Sequence, residues 1–182
     1  DSEGSAIQLD LGTKQPSVID VGGVSTIQDV AIKDKVMYFL GSGADGLGIY
    51  VGGKLVSKTF ISSDNPIILR LFGSSAYVYL NDAGELMKLT LTNNLYGEPK
   101  AWLKTSQGLD RKSVTSMTID GKVWLTTAKG ELFSFAQGGK QSLKVSGMLA
   151  PFSGSTVVYT TPDLQFLYIL EPSQHRLVVL DK

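Results

Sequence analysis

The sequence predicts an all-β fold built of repeated four-stranded antiparallel sheets, and three observations predict it. An apolar anchor recurs in alternating, strand-like runs at Ile7, Ile49, Leu86, Leu132 and Leu177, at spacings of 42, 37, 46 and 45 residues. Turn-forming clusters stand between the runs: Gly52-Gly53, Asn81-Asp82-Ala83-Gly84, Asp120-Gly121, Lys129-Gly130 and Gly138-Gly139. No apolar stripe of 3.6-residue period persists over three turns, so no helix of consequence is expected. A period near 40–45 residues with several strands per unit is the sequence signature of a β-propeller. One such sheet cannot bury both of its faces, whereas radially stacked neighbours can.

The strands fall into register around the anchors. Before four of them lies an apolar strand with a large residue at a matching place: Val36-Met37-Tyr38, Ala76-Tyr77-Val78-Tyr79, Val123-Trp124-Leu125 and Leu167-Tyr168-Ile169. Earlier in each unit comes a further run, at residues 29–32, 67–72, 114–119 and 156–159. After four anchors comes a more polar, lysine-marked run, at residues 14–21, 54–60, 100–105 and 140–145. Lysine blunts exposed sheet edges, so these read as outer strands. The units are two strands (5–21), three full sets of four (28–61, 66–106 and 113–147) and three strands (155–182), in one domain spanning 1–182. That is four to five blades' worth, with one strand more than a shared closing blade requires, which the reading allows to belong to a larger ring. Residues 92–99 (TNNLYGEP) read as a loop.

Composition excludes several function classes. The 182 residues carry 17 basic and 17 acidic side chains, so no net charge draws the chain to nucleic acid or an anionic membrane. Residues 1–91 hold 7 basic against 10 acidic groups, and residues 92–182 hold 10 against 7. With no cysteine, disulfides, thiolate catalysis and cysteine-ligated metals are absent. No apolar run approaches the roughly 18–20 residues that span a bilayer, so this segment is not expected to insert into a membrane. The chain opens on Asp1 without methionine, and the expectation is a piece of a longer protein.

The last twenty residues carry a resemblance. Leu167-Tyr168-Ile169, Glu171, Gln174 and His175-Arg176, followed by a valine-rich strand, resemble the NHL-repeat consensus, with Glu171 where aspartate is usual and Gln174 in place of asparagine. The upstream units lack the His-Arg pair and resemble generic WD-like or YVTN-type propeller blades. The pattern is also similar to C-terminal propeller regions of some bacterial membrane proteins, which implies an extracytoplasmic module of a membrane-anchored bacterial protein.

Candidate chemistry is sparse. His175, the only histidine, lacks companion ligands and a nucleophile motif, and reads as a hairpin-turn residue. Gly41-Ser42-Gly43-Ala44-Asp45-Gly46 spells a dinucleotide fingerprint, but a strand follows it where a helix N-terminus is needed. Glu85 and Glu131 occupy equivalent repeat places, and so read as turn residues rather than a glycosidase pair. Asp29 and Asp120 begin their blades and are the carboxylates from which a hydrolase or lyase with channel-facing acids would be built. No cofactor, metal or catalytic residue is expected. The alternating aromatics Tyr38, Tyr77, Tyr79, Trp124, Phe133, Phe135 and Tyr168 read as core. Trp102, flanked by Lys100 and Lys104 and followed by Arg111 and Lys112, is the candidate partner-binding cluster. The expected function is a non-catalytic binding or scaffolding module for a protein or glycan partner, with nucleic acid disfavoured.

Overall fold

A computed structural model describes residues 5–22, 24, 26–93, 95–104 and 108–182. Every regular element among them is a strand, apart from three single turns of 3₁₀ helix at Gly43–Asp45, Arg111–Ser113 and Pro172–Gln174. The strands form five antiparallel sheets in chain order. The first holds β1 (Ser5–Leu9) and β2 (Pro16–Asp20). The second holds β3 (Ile27–Lys33), β4 (Val36–Gly41), β5 (Leu47–Val51) and β6 (Lys54–Thr59). The third holds β7 (Pro66–Phe72), β8 (Ser75–Leu80), β9 (Glu85–Thr92) and two short outer pieces on β9, namely β10 (Leu95–Tyr96) and β11 (Lys100–Ala101). The fourth holds β12 (Val114–Ile119), β13 (Val123–Thr127), β14 (Leu132–Ala136) and β15 (Gly139–Lys140). The fifth holds β16 (Val157–Tyr159), β17 (Phe166–Glu171) and β18 (Arg176–Asp181).

The internal strands β8 and β13 are buried along their whole length, on both faces. Tyr79, Leu86, Leu89, Leu125 and Phe135 are fully buried, as is Tyr50. Two outer strands are shorter than the lysine-marked runs suggest. Of residues 100–105 only Lys100 and Ala101 pair in the sheet, and Thr105 lies outside the described residues. Of residues 140–145 only Lys140 pairs, opposite Phe135, before the chain leaves the sheet after one further bond from Gln141 N–H to the Ser134 carbonyl. An outer strand has hydrogen-bond partners on one side only, so little opposes its fraying. Residues 92–99 are not merely a loop: Leu95 and Tyr96 pair with Thr92 and Leu91, and Tyr96 is buried with its ring 6.1 Å from that of Tyr38.

The chain packs as two compact units, Asp1–Val78 with Leu89–Pro99, and Tyr79–Lys88 with Lys100–Lys182. In the first, Ile19, Val21, Val24, Phe39 and Tyr50 form a core to which Ala6 and Met37 add. Tyr50 donates its hydroxyl to the Val21 and Gly22 carbonyls, at 2.9 and 3.0 Å, fastening the first sheet to the second. The second sheet is joined to β7 by the Asp29 carboxylate, which accepts from Leu69 N–H (2.8 Å) and Arg70 Nη1 (2.9 Å). Gly46, at φ +58°, sits so close to the Thr59 carbonyl that a Cβ would overlap it, so the glycine-rich turn is a packing requirement.

In the second unit Trp124, Val158, Leu167 and Ile169 form the core, with Leu132, Phe152, Val178 and Leu180 packed against it. Hydroxyls of β12 and β13 tie the fourth sheet to the backbone of β16 and of the residues flanking it. Thr118 Oγ1 donates to the Thr160 carbonyl (2.8 Å), Thr126 Oγ1 donates to the Thr156 carbonyl (2.9 Å), and Ser116 Oγ accepts from Val158 N–H (3.1 Å). In both units the partners of Asp29, Ser116 and Thr118 lie 40–42 residues away, so the repeat period read in the sequence returns as the spacing of inner-strand contacts.

Candidate functional site

A concavity lies in the first unit, beside the first sheet. β1 and β2 match the third and fourth strands of a complete sheet, because Ile7 is the anchor that Ile49 is on β5. Among the described residues, no inner strands stand beside β1. The space is a groove of about 900 Å³, bounded by Ile7, Leu9 and Val18 on one side and by Val30, Ile32 and Phe39 on the other. Cross-strand pairing of Val30 with Phe39 and of Ile32 with Met37 puts all four side chains on one face of the second sheet. Phe39 is covered by the first sheet, whereas Ile32 is 70% exposed and Val30 47%. Gln8 and Lys35 are the polar side chains lining the groove. The sequence pattern does not distinguish this face, since alternation records that a strand has an apolar side and not whether a neighbour covers it.

Among the described residues the fifth sheet holds three strands, which match the first three of a complete sheet. One face, carrying Val158, Leu167 and Ile169, is sealed by Trp124. The other aligns Val157, Leu170 and Leu177 in one cross-strand row, and Tyr159, Tyr168 and Val179 in the next. Five of these six side chains are between 46% and 59% exposed, Tyr168 being half-buried. Tyr168 is thus not core, unlike the other six aromatics assigned to it. The anchors Ile7 and Leu177 are likewise exposed.

The proposed binding cluster is divided between two connections of the second unit. Lys100 lies opposite Lys88 on the outer piece β11. Trp102 donates its backbone N–H to the Leu86 carbonyl at 2.8 Å, and Lys104 donates its own to the Gly138 carbonyl at 2.8 Å. Trp102 is half-buried, while Lys100 and Lys104 are exposed. Arg111 and exposed Lys112 lie in the turn before β12, where the Arg111 carbonyl accepts the Tyr79 hydroxyl at 2.6 Å.

The carboxylates are engaged in architecture. Asp120 accepts from Lys182 Nζ (2.9 Å), from Trp124 Nε1 (3.0 Å) and from Lys122 N–H (3.1 Å). Burial pushes its carboxyl up, but these donors outweigh that and hold it below the usual carboxylate range. Glu171, fully buried, accepts from Ser153 N–H (2.6 Å) and Arg176 Nε (2.6 Å), the former being the main reason its carboxyl is lowered. Arg176 Nη2 also reaches the Ala150 and Pro151 carbonyls, at 3.2 and 2.9 Å. His175 occupies the left-handed region at φ 49° and closes the turn by donating its N–H to the Pro172 carbonyl at 3.2 Å. Glu131 accepts from Thr127 Oγ1 at 3.1 Å within its own turn. After Gly46 the chain enters β5, so the glycine-rich run has no helix N-terminus. Among the described residues, no three His, Asp or Glu side chains gather as metal ligands, and no helix is long and apolar enough to cross a membrane.

Repeated four-stranded antiparallel sheets, with inner strands tied at a 40–42-residue offset, define a β-propeller repeat fold. No protein-family model matches the sequence, and no curated protein matches it. Among solved structures, it is similar to the gluconolactonase XC5397 of Xanthomonas campestris, at 14% identity over 99% of this chain and 66% of that one, TM-score 0.68. It is similar to BamB of Moraxella catarrhalis, at 17% identity over 100% of this chain and 52% of that one, TM-score 0.64. A chain of a nidogen/laminin complex matches at 12% identity over 97% of this chain and 67% of that one, TM-score 0.65. These neighbours are β-propeller proteins, and at such identities the likeness establishes the fold alone. The chain spans about half the length of BamB and about two thirds of the other two.

Proposed function

We propose that this chain is a non-catalytic binding module whose apolar groove beside β3 receives a protein partner. The observation that carries the reading is the exposure of Ile32 and Val30 on a face whose remaining residues, Met37 and Phe39, pack against the first sheet. Apolar side chains held in a preformed concavity contribute most of their transfer free energy only when something covers them, about 25 cal/mol per Å². A glycan fits less well, because sugar hydroxyls need several polar partners and the groove lining offers Gln8 and Lys35. Support also comes from a structural neighbour that was solved as a complex of two proteins. Lys100, Trp102, Lys104, Arg111 and Lys112 form a second contact face in this reading.

The hydrolase or lyase alternative requires Asp29 and Asp120 as free acids, whereas Asp29 is tied to Arg70 and Asp120 to Lys182. The test is photocrosslinking from position 32 in cell extract, compared with the same probe placed at exposed Lys54. A polypeptide trapped from position 32 and not from position 54 is the expected result. No adduct at position 32, together with lactone or glycoside turnover that Asp120→Asn removes from a folded protein, overturns the reading.

A further inference from the structure

The fourth and fifth sheets are joined by the longest connection between described strands, residues 141–156, which run from β15 to β16. The connection from β6 to β7 takes residues 60–65, and that from β11 to β12 takes residues 102–113 with a turn of 3₁₀ helix inside it. Connections longer than about 12–15 residues without structure of their own are uncommon in compact domains and are usually kept for a function. We propose that residues 142–149 (SLKVSGML) are an endoproteolytic processing site. A trypsin-class peptidase cuts the Lys144–Val145 bond there and leaves two pieces that remain one fold.

Access is the first support. Residues 142–149 make no hydrogen bond with any described residue, through backbone or side chain. All of them are exposed except half-buried Met148, and Leu149 is fully exposed. A peptidase takes its substrate as an extended strand, through successive N–H and C=O groups, so a cut inside a paired strand waits for local unfolding. Nothing has to be unpaired here. Lysines on other exposed surfaces are less available: Lys54, Lys58, Lys100 and Lys140 lie in paired strands, and Lys35 and Lys129 in tight hairpin turns. Lys144 is also the only lysine or arginine between Lys140 and Arg176, so a tryptic cut in this connection falls at one bond.

The second support is that the stretch is pinned at both ends. Gln141 N–H donates to the Ser134 carbonyl. Beyond residue 149 the turn between β17 and β18 latches the chain. Arg176 holds the Ala150 and Pro151 carbonyls, Glu171 accepts from Ser153 N–H (2.6 Å) and Oγ (3.1 Å), and Ser173 Oγ donates to the Ser153 carbonyl (2.9 Å). Phe152 packs so tightly on Gly130 that a Cβ there would come within 2.9 Å of it. The stretch, its anchors and both flanking sheets lie in one compact unit.

The third support is the grip that survives a cut. Val158, Leu167 and Ile169 stay packed on Trp124, and the Thr118 and Thr126 hydroxyls stay bonded to the Thr160 and Thr156 carbonyls. Hydrolysis adds one water across the amide: Lys144 leaves as a carboxylate, Val145 as an ammonium, and no other bond changes. The site is separate from the groove beside β3 and does not depend on it.

The test is limited trypsin digestion of the full chain, with fragment masses read by mass spectrometry. The first products should be residues 1–144 and 145–182, which co-elute in gel filtration and melt cooperatively with a native β-sheet spectrum. Lys144→Gln should slow loss of the intact chain about tenfold or more without changing its melt. Subtilisin, which needs no lysine, should cut that variant within residues 142–149. A first tryptic cut at any other residue, a Lys144→Gln chain lost as fast as the wild type, or pieces that separate once cut each overturn the proposal. None of these results bears on crosslinking from position 32, so the binding reading stands or falls apart from them.

Discussion

Replacing Trp124 by alanine should destabilise the protein far more than the same change at Trp102. Trp124 is 3% exposed and central to the core shared by the fourth and fifth sheets, where it meets Val158, Leu167 and Ile169. Deleting a buried indole costs about 3–5 kcal/mol in transfer free energy and residual cavity. Its Nε1 donor to Asp120 adds about 1 kcal/mol, since Asp120 keeps Lys182 and Lys122 as partners. At about 2–4 °C per kcal/mol for a chain of this size, the melting temperature should fall by roughly 10–20 °C. Trp102 is half-buried, and the segment just after β11 is held by its backbone bond to Leu86 that alanine preserves, so about half that loss is expected. Both residues lie in the same compact unit, which makes their midpoints comparable. The assay is urea unfolding followed by far-ultraviolet circular dichroism, which does not rely on the deleted fluorophores. Trp124→Phe separates the contributions by keeping an aromatic ring while removing the donor. Equal midpoints for Trp124→Ala and Trp102→Ala would refute the placement of Trp124 at the junction of two sheets.

Two further outcomes follow from the polar anchors. Arg176→Ala should lower the melting temperature several degrees more than His175→Ala, because Arg176 binds Glu171 and two carbonyls of residues 150–151, whereas His175 contributes a turn backbone that other residues can adopt with modest strain; a thermal melt of the pair in which His175→Ala is the worse variant contradicts this. For Asp120 the folded carboxyl titrates below its ordinary value, so its stabilisation is complete above about pH 4 and is lost as pH falls through the folded value. The gap in melting temperature between the wild type and Asp120→Asn should therefore shrink on acidification, and a gap that widens would reverse the sign of the assigned shift.

Much of the fold is legible in the sequence because each sheet strand records its own environment locally. Val123 to Thr127 and Ser75 to Leu80 are buried along their whole length, and their apolar runs and flanking Gly or Asp-Gly turns say so directly. Tyr96 escapes such a reading: it sits among Thr, Asn, Gly and Pro, and its burial comes from Tyr38 and from Thr59, whose hydroxyl donates to the Tyr96 carbonyl 37 residues along the chain. The Glu171–Arg176 pair is visible as a motif, but its third member, Ser153, is 18 residues from Glu171 in a stretch with no pattern.

The groove is illegible for a different reason. Val30 and Ile32 alternate as any inner-strand residues do, and sequence periodicity fixes which face of a strand is apolar without saying what lies opposite it. In a repeat protein that opposite surface is supplied by the preceding repeat, so burial of residue i is decided by whether strands exist some 40 residues earlier. For Ser116 and Thr118 the neighbouring strand exists, and its carbonyls and amides accept or donate at the repeat offset. For Val30 and Ile32 no such strand stands among the described residues. The repeat rule thus locates the exposed face: where an inner-strand pattern stands without a described strand one period earlier, side chains such as Val30 and Ile32 are left solvent-exposed.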